Sequence, residues 1–271
     1  KFVEAEIRLS GKVDYDETRL EDVTAWVGGR IDRLFVDFEG TRVIKGDHMF
    51  RLYSPDLISA QAEFLQALRS ARDVDAETSD LVRRSATATL KAAREKLRLL
   101  GLTAAQVQQI EAAEEPTDSI TIHAPRDGIV IRRHAAEGSY VETGTPIYTI
   151  ADLSQLWVLL DAYESDIQWI HYGQPVEFTA EAVPGELFHG TVTFIDPILD
   201  PKTQTIKLRV NVDNPDRQLK PGMFVSAVVR STIAAGGLTM DPDLADKWIC
   251  PMHPSVIRDR AGICSVCEMD L

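Results

Sequence analysis

Two pairs of potential metal ligands stand near the end of the chain, Cys250-x-x-His253 and Cys264-x-x-Cys267. Thiolate sulfur and imidazole nitrogen are the donors of tetrahedral metal sites, and a two-residue gap lets one tight turn aim both ligands of a pair at the same ion. The stretch between the pairs contains Ala261-Gly262, which allows the chain to fold back. Three thiols and an imidazole suit Zn(II). The thioethers of Met252 and Met269, if they point inward, would instead favour Cu(I) or Ag(I). The expected metal residues are therefore Cys250, His253, Cys264 and Cys267, with Met252 and Met269 beside them. Two uses are open: a staple for a piece too small to fold on its own core, or a site for an ion that is captured, sensed or passed on.

The rest of the chain offers less chemistry. Its cysteines all lie in this tail, and an odd, clustered set does not make a disulfide framework. A cysteine-free body is compatible with an oxidising compartment. His123, His134, His171 and His189 are isolated in strand or turn contexts and read as structural, Asp47-His48-Met49 reads as a surface turn, and Arg132-Arg133-His134 as a solvated hairpin tip. No nucleophile–base pairing or phosphate loop is present, so a non-enzyme is expected. A net charge of −13 over 271 residues argues against a nucleic-acid partner and against attachment to anionic lipid. No apolar run approaches the roughly 18 residues that span a bilayer. The sequence opens at Lys1 with neither Met nor a signal-peptide pattern, so any targeting or anchoring segment is expected to have been removed.

An internal repeat shows what must position these residues. Val27-Gly28-Gly29-Arg30-Ile31 is followed by Glu39-Gly40, Val43 and Gly46; Arg126-Asp127-Gly128-Ile129-Val130 is followed by Glu137-Gly138, Val141 and Gly144. Each half carries Glu-Gly-x-x-Val-x-x-Gly, which is turn, short strand, turn. Alternation at Ile129/Ile131 and at Ile31/Arg33/Phe35 predicts half-buried strands. Two such halves around an insertion resemble a lipoyl or biotinyl domain cut open at its hairpin. That joint is where a carrier domain needs its Lys, and helices fill it here, so no covalent lipoate or biotin is expected.

The insertion predicts a helical hairpin over 54–116. Ser54-Pro55-Asp56 is an N-cap, a first-turn Pro and a first-turn acid. Leu57, Gln61, Phe64, Leu65 and Leu68 follow at helical spacing. After a polar linker near Asp73–Asp80, Val82, Ala86, Leu90, Ala93, Leu97 and Leu100 share one face, and Gly101 stops the helix. Thr103-Ala104-Ala105-Gln106 is a capping box for a short third helix ended by Pro116. Short strands over 153–230, with turns at Pro184-Gly185, Asn214-Pro215 and Pro221-Gly222, predict an antiparallel barrel. Glu164–Tyr172 reads as a short helix within it, and 231–247 as a linker. The fold class is mainly β with an α-helical hairpin: a split lipoyl-like domain (22–53 with 117–152), an antiparallel β-barrel and a small Cys/His metal module at 248–271.

That order, half-lipoyl, hairpin, half-lipoyl, barrel, resembles the periplasmic adaptor (membrane fusion) proteins of RND efflux pumps. Leu52-Tyr53-Ser54-Pro55-Asp56-Leu57, Leu97-Arg98-Leu99-Leu100-Gly101 and Ala124-Pro125-Arg126-Asp127-Gly128 are similar to strings of the heavy-metal, CusB-like branch. So are Ile150-Ala151-Asp152-Leu153-Ser154-Gln155-Leu156-Trp157-Val158, Asp200-Pro201-Lys202-Thr203-Gln204-Thr205 and Leu219-Lys220-Pro221-Gly222-Met223. The tail, with its Cys-Pro-Met-His-Pro and Cys-x-x-Cys-x-Met-Asp-Leu strings, resembles the heavy-metal-binding domain attached to such adaptors. Glu268 stands where that domain commonly has Gly, which would strain the turn after Cys267.

The resemblance implies a periplasmic protein associated with the inner membrane. It implies an inner-membrane RND transporter and an outer-membrane channel as partners, and a homo-oligomer in the assembled pump. The alternative is a stand-alone periplasmic metal-binding protein or metallochaperone. The family continues past the barrel into a membrane-proximal domain built from both chain ends. On that pattern residues 1–21 are expected to be partial membrane-proximal strand material, and the sequence a fragment or incomplete there.

Overall fold

The computed structural model describes residues 3–73, 79–233, 247–250, 252–253 and 256–271. In chain order, β1 is Val3–Tyr15, β2 Leu20–Thr24, β3 Gly29–Leu34, β4 Arg42–Val43 and β5 His48–Tyr53. Helices α1 (Pro55–Arg72), α2 (Asp80–Leu99) and α3 (Ala104–Ala113) follow, then β6 Ser119–His123, β7 Gly128–Arg133, β8 Tyr140–Val141 and β9 Pro146–Ala151. Next come β10 Gln155–Tyr163, α4 Glu164–Ile167, β11 Pro175–Ala180, β12 Phe188–Asp200, β13 Thr205–Asp213 and β14 Phe224–Ile233. The tail holds β15 Trp248–Ile249 and β16 Ile257–Arg258. The chain forms two compact units, Leu20–Ala151, and Lys1–Arg19 with Asp152–Leu271.

In the first unit the repeated halves interlock. One four-stranded sheet runs β2-β9-β7-β4 and the other β6-β5-β3-β8, so the short strand of each half crosses to the sheet of the other. Arg42 and Val43 pair with Ile129 and Gly128, while Gly29 and Arg30 pair with Val141 and Tyr140. The repeated turn glycines explain the matched spacing: Gly40 and Gly138, and Gly46 and Gly144, all hold positive φ between 79° and 94°, a region closed to most side chains.

The alternation Ile129/Ile131 and Ile31/Arg33/Phe35 needs correction. A β-bulge falls between Ile31 and Arg33 and another between Val130 and Arg132, and each extra residue reverses which face points inward. Ile31 and Leu34 therefore line the core in the first half; in the second, Gly128 and Val130 take the inward face already ahead of the bulge and leave Ile129 and Ile131 half-buried. Tyr148 sits at the centre, fully buried, its hydroxyl donating to the Val36 carbonyl at 2.9 Å.

The hairpin leaves this core. Ser54 accepts from the Leu57 N–H as N-cap, and α1 buries Leu57, Phe64, Leu65 and Leu68. Only Leu97 of α2 is fully buried, with Leu90 and Ala93 partly so. Thr103 and Gln106 form the reciprocal capping box of α3. That helix ends at Ala113, with Glu114 turning into the left-handed region two residues before Pro116. At 1.5 Å per residue, α1 and α2 are roughly 27 and 30 Å long. Most of the linker between them, 74–78, lies outside the described residues.

The second unit is a closed six-stranded antiparallel barrel, β1-β10-β13-β12-β11-β14 and back to β1. Here the expectation for residues 1–21 is overturned. Strand β1 pairs with β14 from Val3↔Ile233 to Lys12↔Phe224, and with β10 from Ser10↔Asp161 to Tyr15↔Leu156. It buries Ile7, Leu9 and Val13 in the barrel core. Two open strand edges would otherwise remain, and β1 satisfies both. Strand β14 also extends to Ile233, into the stretch read as linker; residues 234–246 lie outside the described residues. The predicted helix over Glu164–Tyr172 is shorter, Glu164–Ile167, and hydrogen-bonded turns carry the chain on to Gly173. No helix among the described residues is long and apolar enough to cross a membrane.

Candidate metal centre

Two tight turns build the tail site. Trp248 and Ile249 pair with Arg258 and Ile257, which holds Cys250 at the end of a small ribbon. The Cys250 N–H donates to the Val256 carbonyl at 3.2 Å, and the Cys250 carbonyl accepts from the His253 N–H at 3.2 Å. The second turn is closed by Cys264 N–H to the Met269 carbonyl, 2.8 Å, and Glu268 N–H to the Cys264 carbonyl, 3.0 Å. Closing so tightly over Cys267 forces Glu268 to φ +58°. The position at which glycine was expected is the one that takes a left-handed backbone.

The turns face each other. One ligand atom from each of Cys250, His253, Cys264 and Cys267 lies within 4.8 Å of all the others. Cys250 Sγ is 3.5 Å from Cys267 Sγ and 3.8 Å from His253 Nδ1, and Cys264 Sγ is 3.7 Å from the same nitrogen. A tetrahedron with metal–sulfur bonds of about 2.3 Å and a metal–nitrogen bond of about 2.0 Å has edges of roughly 3.5–3.8 Å. Three of the six edges, at 3.5, 3.7 and 3.8 Å, fall in this range and the others lie within 4.8 Å, so the donor set can close on a four-coordinate ion. The separation of sulfurs is far too long for a disulfide, and all three cysteines are free.

Cys250 and Cys264 are buried, at 0% and 1% exposure, whereas Met252 and Met269 are 60% and 44% exposed. The structure thus gathers four of the six expected residues and leaves the thioethers on the outside. Burial pushes the Cys264 thiol up, but the backbone N–H groups of Cys267 and Val266 and the neighbouring sulfurs outweigh it and hold Cys264 at about 6. Cys267 moves the other way. The Met269 N–H lowers it, and burial together with the sulfurs of Cys250 and Cys264 raises it above the ordinary thiol value. Crowded sulfurs that resist joint ionisation are what a cation relieves, since a coordinated thiol is deprotonated outright.

The other histidines divide. His134 bonds to the Thr149 hydroxyl and His171 to the Tyr172 carbonyl. His48 and His123 are not isolated: they face each other across β5 and β6, with ring centroids 5.0 Å apart. Met49, expected in a surface turn, is fully buried. Burial and the neighbouring His48 hold His123 below the ordinary imidazole range. Seventy-five positions separate the pair in sequence, so only the register of β5 against β6 could have revealed it.

A split lipoyl-type unit carrying a helical hairpin, a six-stranded barrel and an S₃N cage together define a metal-linked membrane fusion protein. Three family models match successive stretches: CusB, barrel-sandwich hybrid domain over 20–151, CusB-like, beta-barrel domain over 155–232, and heavy metal binding domain over 247–271. The chain belongs to the CusB-like periplasmic adaptors, or membrane fusion proteins, and carries a C-terminal heavy-metal-binding domain.

Among its relatives is the cation efflux system protein CusB of Escherichia coli K12. It is 28% identical over 211 residues, covering 78% of this chain and 49% of that protein. The cobalt-zinc-cadmium resistance protein CzcB of Cupriavidus metallidurans is 24% identical over 239 residues, covering 84% and 45%. The chain therefore spans about half the length of these relatives. The crystal structure of ZneB from Cupriavidus metallidurans superposes with a TM-score of 0.54 at 27% identity, covering 84% of this chain and 99% of that one.

Proposed function

We propose that this chain is the periplasmic adaptor part of a heavy-metal efflux pump, linking an inner-membrane RND transporter to an outer-membrane channel and working by assembly without bond chemistry. The observation that carries the reading is the interlock of the two half-lipoyl sheets, which makes one rigid base from which α1 and α2 project. A hairpin with little core of its own is suited to packing on a partner. The names of the relatives support a metal cargo. The protein would act in the periplasm, held at the inner membrane and repeated as a homo-oligomer around the pump.

In the same reading Cys250, His253, Cys264 and Cys267 hold the tail's ion. A donor set of three thiolates and an imidazole, with the thioethers of Met252 and Met269 exposed, favours Zn(II) over Cu(I) or Ag(I). Crosslinking from photoreactive residues placed on α2, in cells that express the adaptor with its transporter and channel, tests the assembly. Capture of both partners, together with loss of metal tolerance when residues 55–113 are replaced by a short loop, is the expected result. Retained tolerance with no crosslinked partner would favour a stand-alone metal-binding protein and reject the adaptor.

A further inference from the structure

We propose that His48 and His123 form a second metal site, on the lipoyl-like unit, that takes a borderline divalent ion such as Zn(II) or Cu(II). The two residues are directly opposed in the antiparallel pairing of β5 and β6. The Ala124 N–H donates to the Asp47 carbonyl at 2.8 Å, one residue beyond the pair. That makes His48↔His123 a non-hydrogen-bonded pair, the kind in which opposed side chains leave the same face and approach most closely.

The ring separation matches a shared ion. With metal–nitrogen bonds of about 2.0 Å and a ring centroid about 1.1 Å beyond each nitrogen, two imidazoles on a tetrahedral ion have centroids roughly 5.1 Å apart. The observed distance is 5.0 Å, with the planes tilted by 47°. Neither ring hydrogen-bonds to another described residue; the two rings face each other, and the Phe35 ring lies 5.7 Å from His48. Both imidazoles line an open groove of about 450 Å³ with Gln106, Gln109 and Thr121. Imidazole suits Zn(II) and Cu(II), and two protein ligands leave positions for water or an exogenous ligand, as in an open site rather than a closed structural one. Arg33 and Arg51 stack on the Phe35 ring beside His48, at 5.3 and 5.9 Å from its centroid. They oppose a cation, so the site should be weaker than the thiolate cage.

The test uses the full chain with Cys250, Cys264 and Cys267 replaced by Ser, titrated with Zn(II) and with Cu(II). One ion per chain should bind, the His48 and His123 ring signals should shift together in NMR spectra, and His48→Gln or His123→Gln should weaken binding at least about tenfold. His189→Gln, on the barrel, should change nothing. Should the serine variant fold poorly, the wild-type chain preloaded with one Zn(II) at its tail must show the same paired ring shifts on further addition. No ion beyond the tail's, or binding indifferent to both histidine replacements, overturns the proposal. Either failure leaves the thiolate cage and the adaptor reading intact, because each is probed without these imidazoles.

Discussion

Glu268→Gly should tighten metal binding by the tail. Glu268 holds φ +58° because its N–H must reach the Cys264 carbonyl, 3.0 Å away, to close the turn over Cys267. A left-handed backbone costs a side-chain-bearing residue about 1–2 kcal/mol. Glycine removes that strain but gives up about 0.5–1 kcal/mol through the greater freedom of the unfolded chain. The net gain is about 0.5–1 kcal/mol. A module of this size folds with its ion, so the gain should appear as affinity, about two- to fivefold.

Removing Glu268 also removes a negative charge near a cation site, which works in the opposite direction. Glu268→Gln isolates that effect, because it loses the charge and keeps the strained backbone. Competition against a chromophoric Zn(II) chelator under anaerobic conditions would order the affinities as Gly above Gln, with the wild type above Gln or equal to it. Binding by the Gly variant no tighter than by the Gln variant would show that strain at Glu268 does not limit the site.

Tyr148→Phe should cost about 1 kcal/mol near neutral pH, because the Val36 carbonyl loses its donor. Burial pushes Tyr148 up to about 12 from an ordinary 10. The fold favours the neutral phenol, so stability is unaffected below pH 10 and falls by a few kcal/mol as the pH climbs through about 12 and a buried tyrosinate must form. Urea unfolding should show that alkaline loss in the wild type and lack it in the Phe variant. Gly29→Ala would place a Cβ 2.2 Å from the Tyr53 carbonyl oxygen, and should destabilise the split lipoyl-like unit by about 3 kcal/mol, read as a fall in the denaturation midpoint. Leu97→Ala empties the one fully buried position of α2. A loss of about 3 kcal/mol is expected, with α2 amides losing hydrogen-exchange protection before the sheets do.

Local signals carried much of this structure into the sequence. Ser54, Thr103-Gln106 and the paired glycines act within a few residues of themselves, and each is found in the role its chemistry predicts. The Cys/His spacing likewise reports on two turns that are each local. Errors arose where the deciding contact is remote or a regular period is broken. The bulge after Ile31 shifts the inward face by one residue, which composition alone does not signal, and in the second half the small Gly128 and Val130 take the inward face in place of Ile129 and Ile131. Strand β1 closes the barrel against β14, more than two hundred residues away, and its own alternation says nothing about which sheet it joins. The outward methionines and the His48–His123 pair are consequences of register and turn direction, visible only once the strands are paired.

The central claim is that two facing turns bring three sulfurs and one nitrogen onto a single ion. X-ray absorption on the anaerobically purified full chain, loaded in turn with Zn(II), Cu(I) and Ag(I), tests it directly beside Cys264→Ser/Cys267→Ser. Zn(II) should bind one per chain with three sulfurs at about 2.3 Å and one nitrogen at about 2.0 Å, and the double variant should lose this shell. An unchanged shell in the double variant, or a sulfur count that falls when Met252 and Met269 are replaced instead, would contradict it.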